Sequence, residues 1–147
     1  MRARQAIALL ALAGAFVALY LTLYKVGVIG QLTCSVGECE VVNTSRWSLF
    51  LRMPVAAWGL ATYVILLALA LTGLSERWSA SVEVSRAITA LAAWSVCFSA
   101  YLTYIELFVL HAVCVWCATS AAIMTLILVA AVIDLRATRA AAEVARG

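Results

Sequence analysis

The chain has 147 residues, 67% of them hydrophobic and 12% charged, with a mean hydropathy of +1.09. A soluble domain is about half apolar and a quarter charged, so a soluble globular class is excluded, and disorder with it. Ten Lys and Arg against seven Asp and Glu leave a formal charge of +3. Those charges are scattered between apolar runs rather than gathered in a stripe, which argues against a nucleic-acid partner. The expectation is a single all-α integral membrane domain.

Four stretches are long enough to cross a hydrocarbon core of ~30 Å, which takes roughly 20 helical residues. Their bounds are about 6–27, 53–75, 87–110 and 113–133, with a loop over 28–52. The first contains 19 uncharged residues from Ala6 to Tyr24. That length exceeds the apolar core of a typical cleaved signal peptide, so a retained helix is expected. Pro54 and Gly73 fall near the ends of the second span, where both are tolerated. Without water to satisfy backbone groups in the bilayer, such runs must be helical, giving a four-helix bundle. If the N-terminus is cytoplasmic, seven basic residues (Arg2, Arg4, Arg77, Arg86, Arg136, Arg139 and Arg146) lie inside, against Lys25, Arg46 and Arg52 outside. The positive-inside rule therefore predicts both termini in the cytoplasm, with loop 28–52 and the turn at His111 facing outward. Segments 76–86 and 134–147 read as polar connections without chemistry. Within the outward loop, Asn43 to Leu51 reads as a short amphipathic helix capped by Asn43 or Thr44. Trp47, Phe50 and Leu51 would dip into the membrane, as a lid or as a plain anchor.

Five cysteines carry the chemical information: Cys34, Cys39, Cys97, Cys114 and Cys117. The arginine topology puts the loop pair Cys34/Cys39 and the pair Cys114/Cys117 on the same, oxidising face. Positions i and i+3 at a helix start lie ~5–6 Å apart, within bridging range. The unpaired N–H groups and positive end of a helix opening near Val113 favour a thiolate there. A structural staple explains the loop pair well. It explains Cys-Val-Trp-Cys less well, because so short a bridge closes almost no loop. Paired thiolates also suit soft metals, so a metal-binding membrane carrier stands as the alternative to a redox relay. With one histidine and few outward carboxylates, a closed structural zinc site would need all four cysteines. Cys97, mid-span, reads as a small packing residue.

Taken in order, these residues resemble bacterial homologues of vitamin K epoxide reductase. The features that carry the resemblance begin with the loop cysteine pair after the first span, followed by Val42, Ser45, Arg46 and Trp47. Then come Met53-Pro54-Val55-Ala56-Ala57-Trp58-Gly59 with Tyr63, Tyr101-Leu102-x-Tyr104-x-Glu106-Leu107-Phe108-Val109-Leu110, and Cys114-x-x-Cys117. The resemblance covers about residues 6–133. It implies a bundle around a quinone, ubiquinone or menaquinone, with Cys117 facing it. It further implies that Cys114 exchanges with Cys39 and that Cys34 meets a reduced periplasmic thioredoxin-fold (DsbA-like) protein. The expected location is a bacterial inner membrane. Many relatives carry proline after the first cysteine of the helix pair, where this chain has Val115, and no thioredoxin-like domain follows the fourth span. The related quinone-linked oxidase, disulfide-bond protein B, places its Cys-x-x-Cys in the first outward loop and fits less well.

Val55, Trp58, Gly59 and Tyr63 are candidates for an apolar quinone slot, because residues at this spacing share a helix face; Ala121, beyond Cys117, joins them. Trp58 and Tyr63 also suit interfacial anchoring. Ser45, Glu106 and His111 are possible supporting residues. Glu106 is the only carboxylate within an otherwise apolar span, where it would move protons or pair with Arg46, Arg52 or His111. His111, as a cation, would favour a nearby thiolate or simply be solvated.

Overall fold

A computed structural model describes residues 2–34 and 37–147; Ser35 and Val36, inside the predicted loop pair, lie outside the described residues. Helix α1 spans Arg2–Lys25, the short α2 Cys39–Thr44, α3 Val55–Thr72, α4 Val82–Ile105 and α5 Val115–Arg146. Among the described residues, four segments are long and apolar enough to cross a membrane: Arg2–Lys25, Val55–Thr72, Val82–Leu110 and Val115–Arg146. The third of these includes a five-residue π-helical end, Glu106–Leu110.

In lipid, helices gain little from hiding apolar surface from one another, so close backbone approach and polar contacts hold a bundle together. Helix α1 supplies that approach through a buried stripe of small residues, Ala8, Ala11, Gly14 and Ala18. It packs against α3 and α5, and α5 packs against α4, so α1 and α5 form the central pair. The Tyr63 ring lies against Gly14 so closely that a Cβ at Gly14 would overlap it. The core around this contact includes Ile7, Leu66, Ile88, Met124 and Ile127. Helices α3 and α4 touch each other far less than α1 and α3, α4 and α5, or α1 and α5 do.

Two ends of the bundle are distinct. At one, Arg4 is 1% exposed. Its Nε donates to both carboxylate oxygens of Asp134 at 3.2 and 3.0 Å, Nη1 to the carbonyls of Gly73 (2.5 Å) and Trp78 (3.0 Å), and Nη2 to Ser85 Oγ (2.9 Å). Ser85 Oγ in turn donates to Asp134 at 2.6 Å. One guanidinium thus ties the start of α1, the α3–α4 turn and α5. At the other end lie the loop 26–54 and the turn 111–114.

Three differences from the sequence reading have physical causes. Helix α5 does not stop at Asp134 but continues to Arg146, because the Asp134 charge is neutralised internally rather than solvated. The short loop helix begins at Cys39 and ends at Thr44, so Asn43 is inside it rather than capping a helix to Leu51. A 3-10 turn, Arg46–Ser48, and a two-residue hairpin of β1 (Leu49–Phe50) and β2 (Met53–Pro54) follow. Leu51 and Arg52 turn that hairpin with φ of 53° and 66°. Cys97 is not a packing residue but exposed on the outer face of α4.

Candidate functional site

The site is assembled where the loop meets the start of α5. Cys34 and Cys39 are joined in a disulfide, their Cα atoms 6.3 Å apart. Two devices seat that bridge. Gly37 forms an antiparallel bridge with Cys114, and the next N–H, of Glu38, donates to Val113 O at 2.9 Å. Only glycine suits position 37, where φ is +101° and a Cβ would overlap the Val113 carbonyl oxygen. On the other flank, Thr33 donates its N–H to Tyr20 Oη at 2.9 Å and accepts from Trp116 Nε1 at 2.9 Å, while the Tyr20 and Trp116 rings pack at 5.2 Å. The tryptophan between the two helix cysteines thereby holds the residue preceding Cys34.

Cys39 and Cys114 are both buried, in one small cluster with Leu21 and Leu32. Cys114 is the N-cap of α5, and its sulfur accepts the Cys117 N–H at 3.3 Å. Asn43 Nδ2 donates to the Cys39 carbonyl at 2.9 Å and to Cys114 Sγ at 3.7 Å, bridging the two cysteines. A hydrogen bond from the Cys117 side chain, followed by backbone N–H groups of Cys117 and Trp116, holds the Cys114 thiol below its ordinary range. Burial and the nearby Glu106 charge oppose that shift without cancelling it. The helix terminus therefore stabilises a thiolate at Cys114 in particular, whereas the sequence reading, with a helix opening near Val113, assigned that benefit to the pair. The reason is register: α5 opens at Val115, which makes Cys114 the cap and puts Cys117 inside the first turn.

Below the sulfurs lies a cavity of about 550 Å³. Its wall includes Val55, Trp58, Gly59 and Tyr63 of α3, Ala121 and Cys117 of α5, Ser45 of the loop and Glu106. These are the cavity and supporting residues read from the sequence, save His111, which is exposed in the left-handed region at φ 51° and does not line it. Tyr63 is not an interfacial anchor: it is 1% exposed, and its hydroxyl donates to the Ser120 carbonyl at 2.8 Å. Trp58 is 41% exposed, with Nε1 donating to Phe50 O at 3.2 Å. The Phe50 ring meets Trp58 at 6.3 Å and Phe98 at 5.8 Å, so the loop hairpin roofs the gap between α3 and α4. Glu106 does not pair with Arg46, Arg52 or His111. It is 6% exposed and accepts the Cys114 N–H at 3.2 Å.

Sequence reasoning missed Asn43, Trp116, Tyr20 and Phe98. Asn43 left a faint signal, since it stands one helical turn after Cys39. The aromatic partners depend on how the loop folds back and leave none.

The apolar wall, the size and the opening between two loosely packed helices suit a flat, lipid-soluble ring compound. Residues 5–132 match the family model described as the vitamin K epoxide reductase family.

Proposed function

The chain belongs to the vitamin K epoxide reductase family, which makes it a membrane oxidoreductase acting on thiols and disulfides, and we propose that it carries electrons from a reduced thioredoxin-fold protein to a quinone. The observation that supports this most is the seating of the Cys34–Cys39 disulfide on Cys114, with Cys117 opening onto the cavity. Four sulfurs in that order form a path from an exposed loop to an apolar pocket.

The exchange steps balance as follows. A partner thiolate attacks Cys34, and resolution leaves the partner oxidised and Cys34 and Cys39 as thiols. Cys39 attacks Cys114 of an oxidised Cys114–Cys117 pair, forming a Cys39–Cys114 disulfide and releasing Cys117. Cys34 then attacks Cys39, the Cys34–Cys39 disulfide closes again, and Cys114 leaves as thiolate. That departure is where the Cys117 N–H and Asn43 help, because a lower thiol pKa makes a faster leaving group. The loop disulfide beside a hydrogen-bonded Cys114/Cys117 thiol pair is the product of this last step. A bound quinone, held by Val55, Trp58, Gly59, Tyr63 and Ala121, supplies a two-electron, two-proton acceptor. Cys117 presents the thiol to it, and the Phe50 roof limits water.

On this reading the loop end faces the oxidising compartment, the termini lie in the cytoplasm, and the membrane is a bacterial inner membrane. A soft-metal carrier would need converging reduced thiols, whereas two of the four are joined in a disulfide. The test is to trap the intermediate. A chain carrying Cys34→Ser and Cys117→Ser, treated with a mild thiol oxidant such as diamide as the two-electron acceptor, should accumulate a Cys39–Cys114 disulfide, identified by peptide mass spectrometry. Its absence, with Cys39 and Cys114 both alkylated as free thiols, would refute the order of transfer.

A further inference from the structure

Closing a disulfide from a thiolate and a thiol releases one proton, and at Cys117 that proton starts in a cavity with an apolar wall. Among the described residues the wall carries two charged groups, Lys25 and Glu106. Lys25 Nζ is committed to Asn43 O at 2.6 Å and Ser48 Oγ at 2.7 Å, and an ammonium accepts nothing. The Tyr63 hydroxyl donates to Ser120, Tyr101 lies on the half-exposed outer wall, and Cys39 is in its disulfide. Glu106 is the base that remains. It starts the π-helical turn, its carbonyl taking the N–H groups of His111 and Ala112, so its position is fixed from both sides. One carboxylate oxygen, Oε2, accepts the Cys114 N–H at 3.2 Å, and Glu106 shares the cavity wall with Cys117. The Cys114 sulfur and the Glu106 carboxylate thus both lie close to the Cys117 thiol.

We propose that Glu106 is the catalytic proton acceptor of the relay, taking the Cys117 thiol proton as the Cys114–Cys117 disulfide closes; this rests on the thiol-to-quinone reading above. The Cys117 S–H bond breaks and a Glu106 O–H bond forms, with the bonding pair staying on sulfur. The two sulfurs then join and give up two electrons to the quinone. Glu106 returns its proton to the reduced ring oxygen, and the second proton comes from solvent at the cavity mouth. Cys117 is half-buried, and a carboxylate fixed beside its thiol is placed to take the proton as the disulfide closes.

Glu106→Gln isolates this role, because the amide oxygen still accepts the Cys114 N–H but takes up no proton. The first readout needs no quinone. Infrared difference spectra of the nanodisc-embedded chain, poised with oxidised and reduced dithiothreitol, should show a carboxylic acid stretch that changes with the thiol state. Glu106→Gln should abolish that change and Glu106→Asp should retain a shifted one. In the second, the pre-reduced chain is mixed with a short-chain water-soluble ubiquinone. Glu106→Gln should slow single-turnover oxidation about 10²-fold, remove the solvent deuterium isotope effect, and leave the yield of trapped Cys39–Cys114 disulfide unchanged. An infrared difference identical in native and Gln chains, or equal oxidation rates, would overturn the assignment. A native chain inert to quinone whose carboxyl band still follows the thiols would remove the quinone reading and keep the proton acceptor.

Discussion

The Arg4 clamp gives the sharpest stability prediction. Asp134→Asn keeps the shape of the acceptor but removes its charge, leaving a guanidinium whose side chain is 2% exposed without a counter-ion. Removing one member of a buried pair costs about 3–5 kcal/mol, since the survivor stays desolvated. The Nε contacts to Asp134, at 3.2 and 3.0 Å, share one N–H and form a single bifurcated charge-assisted bond of about 1.5–3 kcal/mol, consistent with the lower end of that range. Arg4→Leu should cost at least as much, because it also frees the carbonyls of Gly73 and Trp78 at the α3–α4 turn. The double variant Arg4→Leu/Asp134→Leu buries no charge and should lose about 2 kcal/mol less than the sum of the single losses. Reversible unfolding in mixed micelles measures all four corners of this cycle. A loss below about 0.5 kcal/mol for Asp134→Asn, or additive single effects, would refute the buried-pair argument. Thiol exchange should survive in the folded double variant, because the clamp sits at the end of the bundle away from the cysteines.

Other predictions concern the cysteine end. Asn43→Ala removes a donor from Cys114 Sγ, so the Cys114 thiol should rise toward the ordinary value of about 8.5. Because protonation then persists to higher pH, the acidic limb of Cys114 attack on the loop disulfide should move upward, read by stopped-flow exchange; an unmoved limb contradicts the role. Gly37→Ala strains a left-handed position and pushes on Val113 O. Its expected effect, of order 1–3 kcal/mol, is to undock the loop, so the trapped Cys39–Cys114 yield should fall at least tenfold while both disulfides still form. Gly14→Ala should displace the Tyr63 ring from its seat and weaken quinone binding, measured as a raised half-saturating quinone concentration.

Much of the architecture is legible because a bilayer permits so few solutions: apolar length and arginine placement define the spans and group the cysteine pairs. The register of α5 is not legible to one residue, yet it decides whether Cys114 or Cys117 receives the helix N–H groups. Arg4 and Asp134 are visible as charges flanking apolar runs, but counting charges by side treats both as solvated, and their pairing appears only when α1 meets α5. Trp58 and Tyr63 look alike at one depth in the sequence. Packing against Gly14 and a bond to Ser120 turn Tyr63 inward, while Trp58 faces the opening. The loop is hardest to read, since the glycine-dependent turn at Gly37 and aromatic contacts from α1 and α5 shape it more than any periodicity does.

The central claim is that electrons pass from an outside dithiol through both cysteine pairs to a quinone. The direct measurement is quinone reduction by the purified chain when a reduced, soluble thioredoxin-fold protein is supplied, for the native sequence and for Cys117→Ser. The account predicts turnover by the native chain and none by the variant. Equal turnover by both, or no quinone reduction by the native chain while its thiols bind a soft metal, would contradict it.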